Sequence, residues 1–573
     1  MKTVLAQIEI RTGDLDGNTQ KIKDVIAEYD GTTDVIVFPE LAITGYNCGA
    51  LFEYSDFVDE AIEKVQEIAV LAQKSTVIVG GIRYAKHAHE KSGEVRLHNS
   101  AYVIQNGKII GVYDKIHLAN AYQHEDRKYF IPGNRFVTFI VAGKQCGVLI
   151  CEDIWATDHD RNLVAELKDH APELEWIFSI NFSYGHPKKF AMRSELMRQL
   201  TQTHNVGIVY VNTVGIGDIL KNYIVYDGQT LVYNKHGIRI FMAEAFKEEI
   251  AIVHLEGHIY KTNVLHKHEY IWNAELYAMP KILAYSGVKK ALVAMSGGID
   301  SAIAGVLAVK ALGAENVIFV SMPTKDNGSI TKGNAQYISD KLGVELKWIN
   351  IQAAVEELSS KEEISGGAMS TLTSGTLQAT LRASIALSMC NTYGAGIIST
   401  GNHTENVLGW CTFHDIGSIG VYQPFGDLTK LELYDLAEYV NRLYKDILIP
   451  EGLYNGEIVP MAELADAKED PFDYYLMSGI CASIIRERKT PVQIVCDFIS
   501  ERLDKDYFQT NKDKAHYVYD YDVAQFRANV YDAWNRRRRS VYKGGQHAPN
   551  LILSERAMGF STRETLINFW KVQ

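Results

Sequence analysis

The chain has 573 residues, 47% hydrophobic and 22% charged, with a formal net charge of −12. That length exceeds what one hydrophobic core supports, so two or three domains are expected, and the acidic balance excludes a nucleic-acid-binding surface spread over the molecule. No apolar run reaches the roughly 18 residues of a membrane span, the first residues lack a signal peptide's apolar core, and seven irregularly spaced cysteines suit a reducing cytoplasm.

In chain order, the first half alternates short β-branched runs with amphipathic segments. Val35–Phe38, Val77–Val79, Ala101–Ile104, Cys146–Ile150, Ile208–Val211 and Ile250–Val253 read as buried strands, and Asp56 to Lys74 has helical spacing. A layered α/β domain over 1–256 is expected. Residues 257–268 read as a linker. Glu269 to Ser286 reads as a helix, and 269–573 as a second α/β domain. Its strand candidates Ala291–Met295, Val317–Val320 and Gly396–Ser399 alternate with helical stretches, the order of a doubly wound parallel sheet. Ser359 to Thr376, rich in Ser, Gly and Thr, reads as a loop.

Three first-half segments place chemistry at strand ends, where α/β folds build active sites. Phe38-Pro39-Glu40 ends one strand with a carboxylate, Tyr113-Asp114-Lys115 ends another with a lysine, and Leu149-Ile150-Cys151 ends a third with a cysteine. A thiol attacking an amide needs a base, which Glu40 could supply. It also needs positive charge at the developing oxyanion, from Lys115 and backbone N–H groups. Singly, such a cysteine is more often inert core and such a lysine solvated. Together they resemble the Glu-Lys-Cys constellation of the nitrilase (carbon–nitrogen hydrolase) superfamily over residues 1–256. That resemblance implies an αββα layered fold and makes Glu125 the auxiliary glutamate that positions the lysine.

In the second half, Ser296-Gly297-Gly298-Ile299-Asp300-Ser301 lies between a predicted strand and a predicted helix, where N–H groups form an anion site. The absence of GxxxxGK[ST] separates it from the γ-transfer loop, and it resembles the loop of the ATP-pyrophosphatases. Downstream come Ser399-Thr400-Gly401-Asn402-His403-Thr404-Glu405, then Leu408-Gly409-Trp410-Cys411-Thr412 with Asp415, then Pro424-Phe425-Gly426-Asp427-Leu428-Thr429-Lys430. This ordered series resembles the NAD synthetases, as does Val541-Tyr542-Lys543-Gly544-Gly545-Gln546. The chain departs from that family at Thr380-Leu381-Arg382, where two arginines are common.

A nitrilase-like amidase joined to such a module resembles the glutamine-dependent NAD synthetases. The resemblance implies that Cys151 releases ammonia from glutamine, with Tyr122, Glu152, Ser183 and Lys189 holding the substrate. It implies a Rossmann-like second domain of the adenine nucleotide alpha hydrolase type that adenylates deamido-NAD with ATP. Ser296, Gly297, Gly298, Ile299, Asp300, Ser301, Thr400 and Lys430 would bind ATP, and Arg382, Glu405, Asp415 and Lys543 the deamido-NAD. Asp300 and Glu405 would face Mg²⁺, a hard cation that takes oxygen ligands. A cytoplasmic homo-oligomer is expected, with small-molecule substrates and neither nucleic acid nor membrane as partner.

Overall fold

The computed structural model describes the chain except residues 86–95, 120–123, 156–158, 220, 258, 261–262, 368, 459, 461–469, 513–515 and 559–573. The chain divides into two compact units, Met1–Ile219 with Ile224–Lys267, and Leu220–Tyr223 with His268–Gln573.

The first unit contains β1 (Lys2–Gln7), α1 (Leu15–Tyr29), β2 (Val35–Val37), α2 (Ser55–Ala69), β3 (Thr76–Tyr84), β4 (Leu97–Gln105) and β5 (Lys108–Asp114). There follow α3 (Asp126–Tyr129), β6 (Thr138–Val141), β7 (Lys144–Ile150), α4 (Leu163–His170), β8 (Leu174–Ile180), α5 (Lys189–His204) and β9 (Gly207–Val211). The strands β10 (Val214–Ile219), β11 (Asn222–Asp227), β12 (Leu231–Tyr233), β13 (Arg239–Met242) and β14 (Glu249–His254) close this part of the chain. Two six-stranded sheets result, in the orders β14-β1-β2-β3-β4-β5 and β13-β12-β9-β8-β7-β6. Their centres, β1-β2-β3 and β7-β8-β9, are parallel, and antiparallel strands close the edges.

The β-branched runs explain the sandwich. Val37 and Val103 of the first sheet and Val148 and Phe178 of the second share one fully buried cluster, each side chain contributing about 1.5–3 kcal/mol of burial. Outside, Val58, Ala61, Val65 and Ile68 make a buried stripe on α2 at helical spacing, and α2 packs on β3 and α1. On the other sheet α5 lies on β9 and β12, and α4 packs on α5. The layering is αββα.

The second unit opens with α6 (Lys267–Tyr285) and continues through β15 (Lys290–Ala294), α7 (Ile299–Leu312), β16 (Val317–Ser321), α8 (Ser329–Leu342), β17 (Leu346–Trp348) and α9 (Gln352–Ser359). Then come α10 (Glu362–Ser365), α11 (Thr371–Tyr393), β18 (Ala395–Ile397), α12 (His403–Leu408) and α13 (Lys430–Tyr444). The sheet is wholly parallel, in the order β17-β16-β15-β18. Strand order therefore reverses between β15 and β18, and the crevice beyond their carboxyl ends is where such sheets bind ligands.

Two differences from the sequence reading stand out. The expected loop Ser359–Thr376 contains α10 and the first turn and a half of α11, because the Ser370 hydroxyl accepts from the Thr373 amide at 3.1 Å and caps the helix. A composition rich in small polar residues hid that cap. The unit also carries a helical core not anticipated from the sequence, in which α12, α14 (Tyr474–Ile485), α15 (Pro491–Ile499) and α16 (Val523–Ser540) bury Val407, Ile480, Phe498 and Val530 together.

One glycine in β3 governs the first site. A Cβ on Gly80 would lie 2.4 Å from the Leu41 amide nitrogen and 2.5 Å from the Pro39 carbonyl oxygen. Only a missing side chain lets the segment carrying Glu40 cross the strand. Gly80→Ala is expected to lower the stability of the first unit by about 1–3 kcal/mol through overpacking. A urea titration that follows the first unit's unfolding reads this; an unchanged midpoint would contradict it.

Two candidate active sites

In the first unit, Glu40, Lys115 and Cys151 each follow a strand: β2, β5 and β7. Glu40 is fully buried. Its Oε1 accepts from Asn99 Nδ2 at 2.7 Å and from Lys115 Nζ at 2.8 Å, and its Oε2 accepts from the Phe182 amide at 2.8 Å. Lys115, 1% exposed, also pairs with Asp126 Oδ2 at 2.8 Å. One buried ammonium thus serves two buried carboxylates. Cys151 sits in a left-handed conformation, φ 45°, a strained setting for a non-glycine residue.

The electrostatics suit a neutral resting thiol beside a receptive base. Burial, and then the Glu40 carboxylate, raise the Cys151 thiol well above its usual range, against the pull of Lys115. Burial also raises Glu40, with Lys115 opposing. For Lys115 burial disfavours the charge, but Asp126 and Glu40 outweigh it and keep the ammonium protonated.

Glu125, expected as the auxiliary carboxylate, does not face Lys115: its side chain is 56% exposed and lies 3.8 Å from Lys128. Asp126 takes the inward place, because α3 begins there and the Tyr46 hydroxyl and the Ala119 amide donate to its carboxylate. Among the residues expected to hold glutamine, Ser183 is buried, with its amide on Asn212 Oδ1 at 2.9 Å and its hydroxyl accepting from Arg193 at 3.2 Å. Glu152 is partly buried, 3.1 Å from His159 Nε2. The Lys189 ammonium lies 4.3 Å from the centre of the Trp155 ring, and burial lowers its pKa. Tyr122 lies outside the described residues. Asn99, Asp126 and Phe182 escaped the sequence reading; only Asp126, next to Glu125 in an acidic pair, carried a signal.

In the second unit a cavity of about 380 Å³ opens at the strand-order reversal. The loop after β15 and the loop after β18 both line it, bringing Ser296, Gly297, Gly298, Ile299, Asp300, Thr400 and Glu405 together with Arg382 and Lys430. Gly297 has φ +86°, and a Cβ there would fall 1.9 Å from the Thr331 carbonyl oxygen. This turn needs glycine twice over. Lys430, 3% exposed, lies 2.5 Å from Asp300 Oδ2 and 2.9 Å from Glu405 Oε1. Asn402 donates to Asp300 Oδ1 at 2.8 Å while its own oxygen caps α12 on the Glu405 amide at 3.1 Å. The TGN words are therefore a helix cap and a carboxylate holder at once. Burial, reinforced by Asp300 and opposed by Lys430, pushes Glu405 up to about 7.

Three expected residues stand elsewhere. Ser301 is buried, its hydroxyl on Gly298 O at 3.0 Å and Ser296 Oγ at 3.1 Å, so it braces the loop from behind. Lys543 donates to the Gly409 and Cys411 carbonyls at 3.0 and 2.7 Å, and Asp415 accepts from the Thr412 amide at 2.6 Å. Neither lines the cavity. Both side chains meet backbone groups of the 409–415 turn, which sequence spacing does not reveal. Lys332, Asn327 and Asp470 line the cavity unanticipated.

Comparison with known proteins agrees with this division. A carbon-nitrogen hydrolase family profile matches residues 2–263 and an NAD synthase profile residues 271–509. The glutamine-dependent NAD(+) synthetase of Acinetobacter baylyi is 27% identical over 584 aligned residues, covering 100% of this chain and 99% of that protein. That of Thermotoga maritima is 26% identical over 618, with the same coverage. Among solved structures, the glutamine-dependent NAD+ synthetase of Acinetobacter baumannii, in complex with ADP, superposes with a TM-score of 0.72 at 25% identity, covering 100% of this chain and 99% of that one. The fold of the Cytophaga hutchinsonii enzyme matches with a TM-score of 0.80 at 19% identity over 99% and 97% of the two chains. With both profiles in this order and likeness along its whole length, the chain belongs to the glutamine-dependent NAD(+) synthetases, amidating ligases that join a carbon-nitrogen hydrolase domain to an NAD synthase domain.

Proposed function

We propose that the first unit hydrolyses glutamine at Cys151 and that the second uses the ammonia to amidate deamido-NAD through an adenylate. The observation that carries the reading is the buried cluster of Glu40, Lys115 and Asp126 on the loops beside Cys151.

In this reading Glu40 takes the thiol proton as Cys151 Sγ attacks the glutamine side-chain carbonyl. Lys115 and backbone amides beyond Cys151 stabilise the oxyanion. The proton passes from Glu40 to the departing ammonia, leaving a thioester. Water, deprotonated by Glu40, then cleaves it to glutamate. Ser183, Glu152, Lys189 and Tyr122 would hold the substrate.

In the second unit a carboxylate oxygen of deamido-NAD attacks the α-phosphorus of ATP and pyrophosphate leaves. Ammonia then attacks the acyl adenylate, releasing AMP and the amide. The loop Ser296–Asp300 and Thr400 would cradle the nucleotide, Arg382 would neutralise substrate phosphate, and Lys430 would meet charge on the leaving pyrophosphate. Asp300 and Glu405 both line the cavity, each also paired with the Lys430 ammonium, at 2.5 and 2.9 Å. No cluster of three His, Cys, Asp or Glu suited to a metal occurs among the described residues. Two carboxylates fit Mg²⁺, which takes one or two of them together with substrate phosphates. When bound it would supply Lewis-acid neutralisation of the phosphate charge. No helix among the described residues is long and apolar enough to cross a membrane, and the reading retains a cytoplasmic homo-oligomer.

The assay supplies ATP, Mg²⁺ and deamido-NAD with glutamine or ammonium and follows NAD and AMP. Cys151→Ala is expected to cut the glutamine-supported rate by roughly 10³-fold or more and to leave the ammonium-supported rate within about twofold. Loss of both by a folded variant would refute the division of labour. Asp300→Ala is expected to abolish NAD formation from either nitrogen source while glutamate release from glutamine continues. Persistent NAD formation would remove Asp300 from the ATP site.

A further inference from the structure

Asp153, two residues beyond the nucleophile, is fully buried. Its Oδ1 accepts from the amides of Ile116 and His117 at 3.1 and 2.7 Å. Its Oδ2 accepts from the Ile150 amide at 2.9 Å and the Tyr113 hydroxyl at 2.8 Å. Ile116 and His117 are the two residues after Lys115, and Ile150 is the residue before Cys151. One carboxylate therefore fastens the loop carrying the catalytic ammonium to the turn carrying the thiol.

We propose that Asp153 is a positioning residue for glutamine hydrolysis, holding the left-handed Cys151 turn in register with Lys115. This rests on the glutaminase reading above and adds a residue that touches no substrate. An ionised carboxylate has two oxygens and about four acceptor positions, and here all four are met by donors. An amide of the same shape offers only one oxygen, so its NH₂ must face donors on one of the two loops. A buried donor left without an acceptor costs about 1–3 kcal/mol, and the turn most able to give way is the strained one at Cys151, φ 45°. Burial raises Asp153 to about 6 despite these donors, the cost the fold bears to keep a carboxylate there.

Asp153→Asn tests this in the full-length protein. Active Cys151 is first counted as the iodoacetamide labelling of its peptide that glutamine suppresses, so that the exposed Cys496 and misfolded molecules drop out. Per active thiol, kcat for glutamine hydrolysis is expected to fall about 30-fold or more with KM for glutamine changed less than about threefold. Ammonium-supported NAD formation should be unchanged. A kcat per active thiol equal to wild type would overturn the proposal and leave Asp153 a purely structural residue. If Asp153→Asn does not fold, Tyr113→Phe decides. It removes the phenol but spares both loop ties, so a kcat within about threefold of wild type supports the proposal, and a 30-fold fall overturns it. Failure of wild type itself to hydrolyse glutamine would instead refute the glutaminase reading.

Discussion

The first unit is organised around a buried cation. Placing the Lys115 ammonium where water cannot reach it is costly unless paired charge and hydrogen bonds compensate. Glu40 and Asp126, each 2.8 Å away, supply that compensation. The requirement propagates outward. Glu40 must itself be buried, so it draws Asn99 from β4 and the Phe182 amide from beyond β8. Asp126 must be turned inward, so it draws Tyr46 and the Ala119 amide. Gly80 must lack a side chain so that the Glu40 segment can pass. Residues scattered over more than a hundred positions are thereby fixed within a few ångströms of one charge.

The second unit repeats the device with different elements. Lys430, at the start of α13, lies between Asp300 at the start of α7 and Glu405 in the first turn of α12. Acidic groups at helix N-termini are favoured by the local field, and a lysine between them offsets their mutual repulsion. The parallel sheet order sets the geometry: β15 and β18 are neighbours although three helix-bearing crossovers separate them in sequence. In both units a lysine between two carboxylates marks the site, and in both the strand ends deliver the participants.

Legibility followed the range of the interaction. The placing of Glu40, Lys115 and Cys151 after buried strands was legible because a polar residue closing an apolar run is a local pattern, and that of Ser296 to Ser301 because a glycine turn between strand and helix is local too. Less was legible where a side chain's direction depends on distant partners. Glu125 and Asp126 are adjacent acids; which one faces inward is settled by Tyr46, 80 residues away. Ser301 and Lys543 bond to backbone carbonyls, bracing loops rather than lining the cavity. The α11 cap was missed because serine is common to loops and N-caps alike.

By itself, the sequence determined the αββα and parallel-sheet classes and which polar residues close the buried strands, since hydrophobic period and turn chemistry act over a few neighbours. Tertiary structure alone decided which acid pairs with Lys115 beside Glu40, that Lys430 joins Asp300 to Glu405, and that the Asp153 carboxylate fastens the loop after Lys115 to the turn at Cys151. Those outcomes depend on where desolvated charges meet across the fold. Electrostatic compensation of a buried group is satisfied by whichever partner the packing brings within hydrogen-bonding distance, whatever its place in the chain.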